Sequence, residues 1–311
     1  MGLIRRFQKA AAIPLVAAAF LLSACAQTAL RLPDLPRLPL ARPAQTGPAI
    51  WVVQDADSTL YLFGTVHVLR PDQDWRSPRL DQAFESADEL VLEIAEVGDD
   101  AAMMPLVARY GLDPGVRLSS KLTPADKARL DAAAAAMGAN PASFEPMRPW
   151  LVSLQLTVGS LARAGYGVDS GVDRALKARA QATGKRIRAF ETPEQQLRFF
   201  ADLEPAVELA LLRQTLAEFD SAPTTFEPLS RGWLEGDLGV LRRYLIDDWA
   251  RGEPALYRVL IVDRNAAWAD QIEATLRGSG TSFIAVGAGH LVGPDSVQAQ
   301  LRRKGIASQR F

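Results

Sequence analysis

The chain has 311 residues, of which 48% are apolar and 23% are charged, and 35 basic residues nearly balance 36 acidic ones. This composition is typical of a globular protein large enough to bury one or two cores. The near-zero net charge removes the basic surface that nucleic-acid binding requires, so no nucleic-acid partner is expected. The only cysteine is Cys25, which excludes intramolecular disulfides, cysteine-rich zinc sites and a cysteine nucleophile elsewhere in the chain.

The amino terminus is predicted to be an export signal rather than part of the fold. Basic residues near Arg5 are followed by an apolar run over about residues 10–22, which is shorter than the roughly 20 residues that a transmembrane helix needs. The run continues into Leu-Ser-Ala-Cys, which resembles the lipobox of bacterial lipoproteins. Residues 1–25 are therefore predicted to be a lipoprotein signal peptide, with Cys25 as the lipidated residue. A plain signal peptide cut nearby is the alternative.

The following segment, residues 26–48, is predicted to be a linker. It contains five prolines and has no periodic apolar face, which is typical of a semi-rigid extended spacer. Residues 49–311 would then form one folded domain that is tethered to a membrane through the lipid on Cys25. By analogy with lipoprotein sorting in Gram-negative bacteria, Ala26 favours the outer membrane, so the domain is expected in the cell envelope, facing the periplasm.

The folded part begins with a predicted βαβ unit. Two strands within residues 50–63 form a hairpin, and the second of them runs towards His67. A helix over about residues 77–88 leads to a short apolar strand over 90–94, with Glu93 near its end. Because open α/β sheets place their ligands at the carboxyl ends of the strands, we expect His67 and Glu93 at the same edge of the sheet.

The middle of the chain is predicted to be mainly helical. Helices are expected over about residues 123–137, 150–163, 170–182, 193–202, 205–219, 226–234, 237–249 and 256–277. Residues 186–190 are predicted to form a strand that ends at Glu191. The simplest interpretations of the polar residues here are structural: Asp173 as a helix cap and Glu191 in a first helical turn.

The last helix of this group contains Arg264 and Asn265, for which a surface ion pair is the simplest interpretation. After it, residues 281–286 are predicted to be a buried strand that feeds a glycine-rich turn. A helix over about 294–303 and a tail that fits an edge strand complete the chain. The turn lacks the Lys-Ser/Thr of a phosphate-binding P-loop, which counts against a nucleotide site.

The two histidines of the chain share one setting. His67 and His290 each follow an apolar run and end a Gly-x-x-His motif, with glycines at Gly64 and at Gly287, and a further glycine at Gly289. Glycine lets the backbone bend sharply and approach a ligand closely. Two histidines and a carboxylate such as that of Glu93 could bind a divalent metal ion (Mn, Co or Zn), which would lower the pKa of a bound water.

The same residues also permit a metal-free site. One imidazole would then act as the general base for water, and Glu93 would orient it. No Gly-x-Ser-x-Gly elbow and no His-Glu-x-x-His helix is present in the sequence, which counts against a serine hydrolase and a thermolysin-like protease. Structural roles for His67 and His290, and a solvated strand end for Glu93, remain the non-functional alternatives.

Six segments, in chain order, resemble the TraB/GumN family, to which the TIKI proteases are related: LYLFGTVHVLR, LVLEI, GVDRALKARAQATGKRIRAFETPEQQ, WLEGD, DRNAAWADQI and FIAVGAGHLVGPDSV. The resemblance runs from about residue 50 to 308. It implies an α/β (α+β) fold like that of the erythromycin esterase superfamily, with a central mixed sheet surrounded by many helices. By match to the motifs it implies site residues at Gly64, His67, Glu93, Gly287 and His290. Weaker family positions are matched by Asp173, Glu191, Arg264 and Asn265, and Arg264 is counted with the candidate catalytic residues.

The resemblance leaves the reaction open. TIKI members are described as metal-dependent peptidases, whereas erythromycin esterases use a histidine-activated water. The leading interpretation is a membrane-tethered hydrolase of the cell envelope, a metal-dependent peptidase in which His67, Glu93 and His290 bind the metal. The alternatives are a metal-independent, esterase-like hydrolase and a non-catalytic module that binds an envelope peptide or signal molecule. The expected partner is a peptide or a small envelope substrate, and the sequence indicates no oligomeric state.

Overall fold

The computed structural model describes residues 47–247, 250–251 and 254–311. The predicted signal peptide, Cys25 and nearly all of the predicted linker lie outside the described residues, so those predictions stay predictions. None of the helices within the described ranges is both long enough and apolar enough to span a membrane.

The core of the fold is a mixed six-stranded sheet. Its strands are β1 (Ile50–Gln54), β2 (Ser58–Thr65), β3 (Glu89–Leu92), β4 (Arg186–Ala189), β5 (Gly280–Gly287) and β6 (Gln309–Arg310). Their order across the sheet is β4-β3-β5-β2-β1-β6. Strands β4, β3, β5 and β2 are parallel, and β1 pairs antiparallel with both β2 and β6. The predicted α/β fold with a central mixed sheet is confirmed.

Strand β5 lies between β2 and β3, so a segment from near the end of the chain completes the predicted βαβ unit. It pairs with β2 along the whole length of both strands, from Ser58 opposite Gly280 to Thr65 opposite Gly287. On its other side it pairs with β3. Because all three strands are parallel, their carboxyl ends meet at one edge of the sheet, as predicted for the segments that carry His67 and Glu93.

Most predicted helices are present. Within the described residues the α-helices are α1 (Pro78–Ser86), α2 (Asp100–Gly111), α3 (Pro124–Ala136), α4 (Pro149–Arg163), α5 (Val172–Ala182), α6 (Pro193–Ala201), α7 (Pro205–Glu218), α8 (Ala222–Leu234), α9 (Leu238–Arg242), α10 (Pro254–Tyr257), α11 (Asp263–Leu276) and α12 (Val297–Arg303). Helix α2 was not predicted; it contains Pro105, and proline is disfavoured in helix interiors.

Two predicted helices are divided. The helix expected over 237–249 is α9 followed by a π-helix at Arg243–Asp247, and its expected end lies outside the described residues. The helix expected over 256–277 is α10, a π-helix at Arg258–Val262, and then α11. The wider π turns change the direction of side chains, and such turns are frequent at functional sites.

Several helices begin at a polar cap followed by proline. The side chains of Ser77, Thr123 and Thr192 each accept a hydrogen bond from a backbone N–H in the first turn of α1, α3 and α6. At Thr192 the bond is reciprocal, because the side chain of Gln195 accepts from the Thr192 N–H. This capping box sets the start of α6, and therefore the position of the residues on either side of it.

The alternation of side chains along the strands separates two cores. In β2, Leu60 and Leu62 face one core while Phe63 faces the other. The first core is covered by α11 and α12, with Trp268 and Leu301 among its buried side chains. The second is larger and contains the buried faces of α1, α5 and the helices of the middle of the chain. The central strands β2, β3 and β5 are therefore largely buried, which is typical of parallel strands.

Candidate active site

Four parallel strands end side by side, and each is followed within a few residues by a predicted site residue. His67 follows β2, Glu93 follows β3, Glu191 follows β4, and His290 follows β5 through a short 3₁₀ turn. The two histidines are 3% and 1% exposed, and Glu93 is 5% exposed. The structure thus collects residues from distant parts of the sequence in one buried cluster.

The two Gly-x-x-His motifs are packed directly against each other. A Cβ atom at Gly64 would lie 2.9 Å from the Cα atom of Ala288, so only glycine permits this approach. Gly64, Gly287 and Gly289 all lack a positive φ, so their backbone conformations do not by themselves require glycine. The close contact at Gly64 is with the second motif.

His67 is oriented by Asp173. The imidazole Nδ1 and the Asp173 Oδ1 are 2.9 Å apart, and both side chains are buried. Helix α5 is fixed against the His67 segment, because the Val172 N–H donates to the carbonyl of Val66 and a Cβ at Gly171 would lie 2.5 Å from the His67 carbonyl oxygen. The predicted cap role of Asp173 is wrong: the cap is Gly171, and Asp173 lies in the first turn.

The charges around His67 favour its protonated form. Burial by itself would lower the pKa of His67, but the negative charge and the hydrogen bond of Asp173 outweigh it, and Glu93 adds to their effect. The pKa of His67 is therefore raised above 6.5. Because Asp173 accepts from Nδ1–H, Nε2 is the nitrogen that gains and loses the proton.

Arg264 is the centre of the hydrogen-bond network. Its Nε donates to Glu191 Oε1 at 2.8 Å, and its Nη2 donates to Glu191 Oε2 at 2.8 Å and to Glu93 Oε2 at 2.7 Å. Its Nη1 donates to the Leu260 carbonyl at 3.3 Å and approaches His290 Nε2 at 3.2 Å. The predicted surface ion pair is wrong, since Arg264 is only 5% exposed. All five guanidinium N–H groups are used within the protein.

Glu93 is held as a carboxylate. Besides Arg264, the Gly287 N–H donates to its Oε1 at 2.7 Å and Gln196 donates to its Oε2 at 3.0 Å. Burial alone would raise the pKa of Glu93, but Arg264 in particular, together with both histidines and the Gly287 hydrogen bond, lowers it to about 2. Glu93 is therefore charged at any pH at which the protein would function.

His290 differs from His67 in its proton state. Its Nδ1 lies 2.6 Å from Asn265 Oδ1, while the Asn265 amide donates to the carbonyls of Asp295 and of His290 itself. Nδ1 is therefore the protonated nitrogen, and the Nε2 lone pair accepts from Arg264. Burial and the charge of Arg264 lower the pKa of His290 to about 3, so its imidazole is neutral.

Some residues of the cluster were not anticipated as site residues. Trp268 packs in the core, and its Nε1 also donates to Glu191 Oε1 at 2.9 Å while its ring lies 4.4 Å from that of His290. Gln196 joins Glu93 to Glu191, and no local pattern distinguishes Gln196 in the sequence.

Glu191 does not lie in the first turn of a helix, as was predicted. It precedes Thr192, the cap of α6, and its carboxylate binds Arg264 and not the helix start.

Two cavities adjoin the cluster, one bordered by Glu93 and the other by Glu191. A cavity of about 10 Å³, large enough for one water molecule, is bordered by Thr65, His67, Glu93 and Asp173. A cavity of about 460 Å³ lies between α6 and α11, and its walls include Phe190, Glu191, Arg198, Phe199 and Trp268. The second volume is in the range of small-ligand sites.

The described arrangement does not fit a metal ion held by His67, Glu93 and His290. The Nε2 lone pair of His290, which a metal would need, already accepts from the positively charged Arg264. Arg264 also donates to Glu93 Oε2, and the Gly287 N–H donates to Oε1. Within the described ranges, no group of three or more His, Cys, Asp and Glu residues could hold a metal ion. The divalent metal stays a prediction from the sequence.

Comparison with known proteins gives one family model and relatives that cover most of the chain. Residues 49–310 match the model of the TraB/PrgY/gumN family. The uncharacterized protein YbaP of Escherichia coli (strain K12) is 25% identical over 257 residues, which are 83% of this chain and 93% of that protein. An uncharacterized protein of Treponema pallidum (strain Nichols) is 21% identical over 270 residues, 82% of this chain and 80% of that protein. No solved structure matches the chain.

Proposed function

Because the chain belongs to the TraB/PrgY/gumN family and its two Gly-x-x-His motifs meet in one buried cluster, we propose that it is a hydrolase that uses a histidine-activated water. The observation that carries the proposal is the His67–Asp173 pair at the wall of a water-sized cavity that Glu93 also borders. General-base hydrolysis needs a base, a residue that orients the base, and room for the attacking water.

In the proposed reaction, His67 moves the proton. The Asp173 carboxylate accepts from Nδ1–H, so the neutral imidazole takes a proton from water at Nε2 while the water oxygen bonds to the carbonyl carbon of the substrate. The imidazolium, stabilised by Asp173 and Glu93, then gives that proton to the leaving group. The neutral form of His67, which acts as the base, becomes more populated as the pH rises through the raised pKa of this residue. The rate should rise over the same pH range.

We assign positioning roles to Arg264 and His290. Arg264 has all five donors engaged within the protein, so it has none left for a substrate in this arrangement. His290 is neutral, and both of its ring nitrogens are hydrogen-bonded. Together they hold Glu93 close to the water-sized cavity. The metal-free route is therefore the one that the described contacts support best.

The cavity between α6 and α11 is the proposed substrate site. Phe190, Phe199 and Trp268 give it aromatic walls, and the ion pair of Arg198 with Asp202 lies at its polar side. Apolar walls with a few polar groups suit a peptide that carries an apolar side chain, or a small ester of similar character. Arg264 links Glu191, which borders this cavity, to Glu93, which borders the water-sized cavity.

We also propose that the domain works in the cell envelope. The support is the lipobox-like sequence that ends at Cys25 and the proline-rich linker after it. A domain tethered in this way to the outer membrane would meet periplasmic peptides and envelope components.

Hydrolysis by the purified full chain tests the proposal. The probes are fluorescein-labelled casein for peptide bonds and p-nitrophenyl butyrate for esters, each with and without EDTA. We expect hydrolysis of at least one probe, resistant to EDTA, with a loss of about 100-fold or more in His67→Gln. Asp173→Asn should also be slower. Asp126→Asn is the matched control, since Asp126 is equally buried, at 5% against 6% exposed, but lies outside the cluster.

The other outcomes separate the alternatives. Activity that EDTA abolishes and Mn²⁺, Co²⁺ or Zn²⁺ restores would replace the metal-free mechanism by the metal-dependent one. Equal activity of wild type and His67→Gln would refute the assignment of the base. Saturable binding of casein peptides without turnover of either probe would favour the non-catalytic module.

A further inference from the structure

Thr65, the last residue of β2, has an unusual buried hydroxyl. Its side chain is 0% exposed, and its Oγ1 has no hydrogen-bond partner among the described residues. A buried hydroxyl without a partner destabilises a fold by about 1–3 kcal/mol, so native proteins rarely retain one without a water partner or a functional reason. Valine has nearly the same shape and would fill this strand position equally well.

The position of the Thr65 hydroxyl gives a reason why a buried hydroxyl is present at this site. Thr65 borders the cavity of about 10 Å³ together with His67, Glu93 and Asp173. A water in such a cavity needs two to four polar partners. The carboxylate of Glu93 already accepts hydrogen bonds from Arg264, Gln196 and Gly287. The Thr65 hydroxyl would therefore give the water a second neutral acceptor besides His67, and two acceptors would set the orientation of the water.

The two motifs differ at this position. Thr65 follows the glycine of the first motif, whereas Ala288 follows the glycine of the second. The hydroxyl therefore occurs only in the motif whose histidine is hydrogen-bonded to a carboxylate. In the other motif, both nitrogens of His290 are hydrogen-bonded to Asn265 and Arg264, and no water needs to be oriented there.

We propose that the Thr65 hydroxyl is a further catalytic group, which binds the water that His67 deprotonates; this rests on the proposed function. The water donates one O–H to His67 Nε2 and the other to Thr65 Oγ1. During attack the first O–H bond breaks, its proton stays on Nε2, and the water oxygen forms the new bond to the carbonyl carbon. The carbonyl π electrons move to the carbonyl oxygen. The Thr65 O–H bond stays intact throughout, so no acyl-enzyme forms on this residue.

The test compares Thr65→Val and Thr65→Ser with wild type, using the purified full chain and the casein and p-nitrophenyl butyrate probes. Thr157→Val is the matched control, because the Thr157 hydroxyl is buried but donates within its own helix to the Ser153 carbonyl. We expect Thr65→Val to lower kcat about 10-fold with little change in KM, which is the value of one neutral hydrogen bond. Thr65→Ser and Thr157→Val should keep most of the activity.

A second readout, the thermal midpoint, does not depend on activity. If Thr65 Oγ1 binds a water, Thr65→Val gains no stability. If the hydroxyl simply lacks a partner, Thr65→Val removes the unsatisfied group and its midpoint rises above that of wild type, which would overturn the proposal.

The kinetic outcomes are also distinct. An active wild type with equal rates for Thr65→Val and Thr157→Val would overturn the role of Thr65 and leave the proposed function standing. A covalent acyl group on Thr65, detected by mass spectrometry during turnover, would make Thr65 the nucleophile and overturn the water-binding role. A wild type that hydrolyses neither probe would overturn the proposed function, and the role of Thr65 with it.

Discussion

Arg264 provides the positive charge between two buried carboxylates, and its removal gives a sharp test of the cluster. Arg264→Met keeps much of the side-chain volume but leaves Glu93 and Glu191 buried beside each other without that charge. Breaking a buried ion pair in this way destabilises proteins by about 3–5 kcal/mol. The lowering of the Glu93 pKa from 4.5 to about 2, to which both histidines and the Gly287 hydrogen bond also contribute and which burial opposes, corresponds to a net stabilisation of the carboxylate by about 3 kcal/mol, at roughly 1.4 kcal/mol per pKa unit.

The effect of Arg264→Met should depend on pH in a defined direction. The folded-state pKa of Glu93 lies below its unfolded value, so its contribution to stability is fully present above 4.5 and is lost as the pH falls towards 2. In Arg264→Met the pKa of Glu93 rises, because burial raises this pKa and the charge of Arg264 is the largest of the interactions that counteract burial. Glu93 then takes up a proton in mild acid, and the deficit relative to wild type should shrink as the pH falls.

Urea titration followed by tryptophan fluorescence measures the free energy of unfolding at several pH values. The matched control is Arg277→Met at the C-cap of α11, because Arg277 is 70% exposed and forms an i,i+4 ion pair with Glu273. Its loss should cost less than about 0.5 kcal/mol. Equal destabilisation by the two substitutions, or a deficit for Arg264→Met that does not change with pH, would refute this account of the cluster.

Two further predictions concern the histidines and the motif glycines. Because the chain has only two histidines, an NMR titration can follow each imidazole separately. The midpoint of His67 should lie above 6.5 and should fall in Asp173→Asn, whereas His290, with a pKa of about 3, should not titrate between about pH 5 and 9. A His290 midpoint near 6.5 would contradict its contact with the Arg264 guanidinium. Gly64→Ala should destabilise the fold by about 1–3 kcal/mol, because its Cβ would lie 2.9 Å from backbone of the facing turn. Gly289→Ala, whose Cβ would meet only side-chain atoms at 3.7 Å or more, should cost clearly less, and similar losses in both variants would show that the contact between the motifs is not tight.

The sequence predicted the parts of the site that depend on local pattern. Apolar runs that end in a histidine or a carboxylate indicated strand ends, and parallel strands place such ends at one edge of a sheet. The positions of His67, Glu93 and His290 in one cluster follow from that rule. The order of the strands was not predictable in the same way, since β5 enters between β2 and β3 through contacts between distant segments.

The partners of the site residues were harder to predict than the site residues themselves. Arg264 lies on a helix whose sequence is compatible with an exposed ion pair, and only the packing of α11 on the sheet buries it. Asp173 occupies a helix start, where a cap is the commoner role for aspartate. In both cases a local interpretation failed because the decisive contact comes from a segment far away in the sequence.

The two histidines show why a motif alone does not assign chemistry. His67 and His290 stand at the ends of equivalent Gly-x-x-His segments, on neighbouring strands and at similar burial. Their pKa values nevertheless move in opposite directions: burial lowers both, but Asp173 outweighs burial at His67, whereas Arg264 adds to it at His290. The motif determines where each imidazole lies, and the charge of the facing side chain determines whether it can exchange a proton near neutral pH. His67, the proposed general base, is therefore distinguished from His290 by the residue opposite it, which lies outside the motif in both cases.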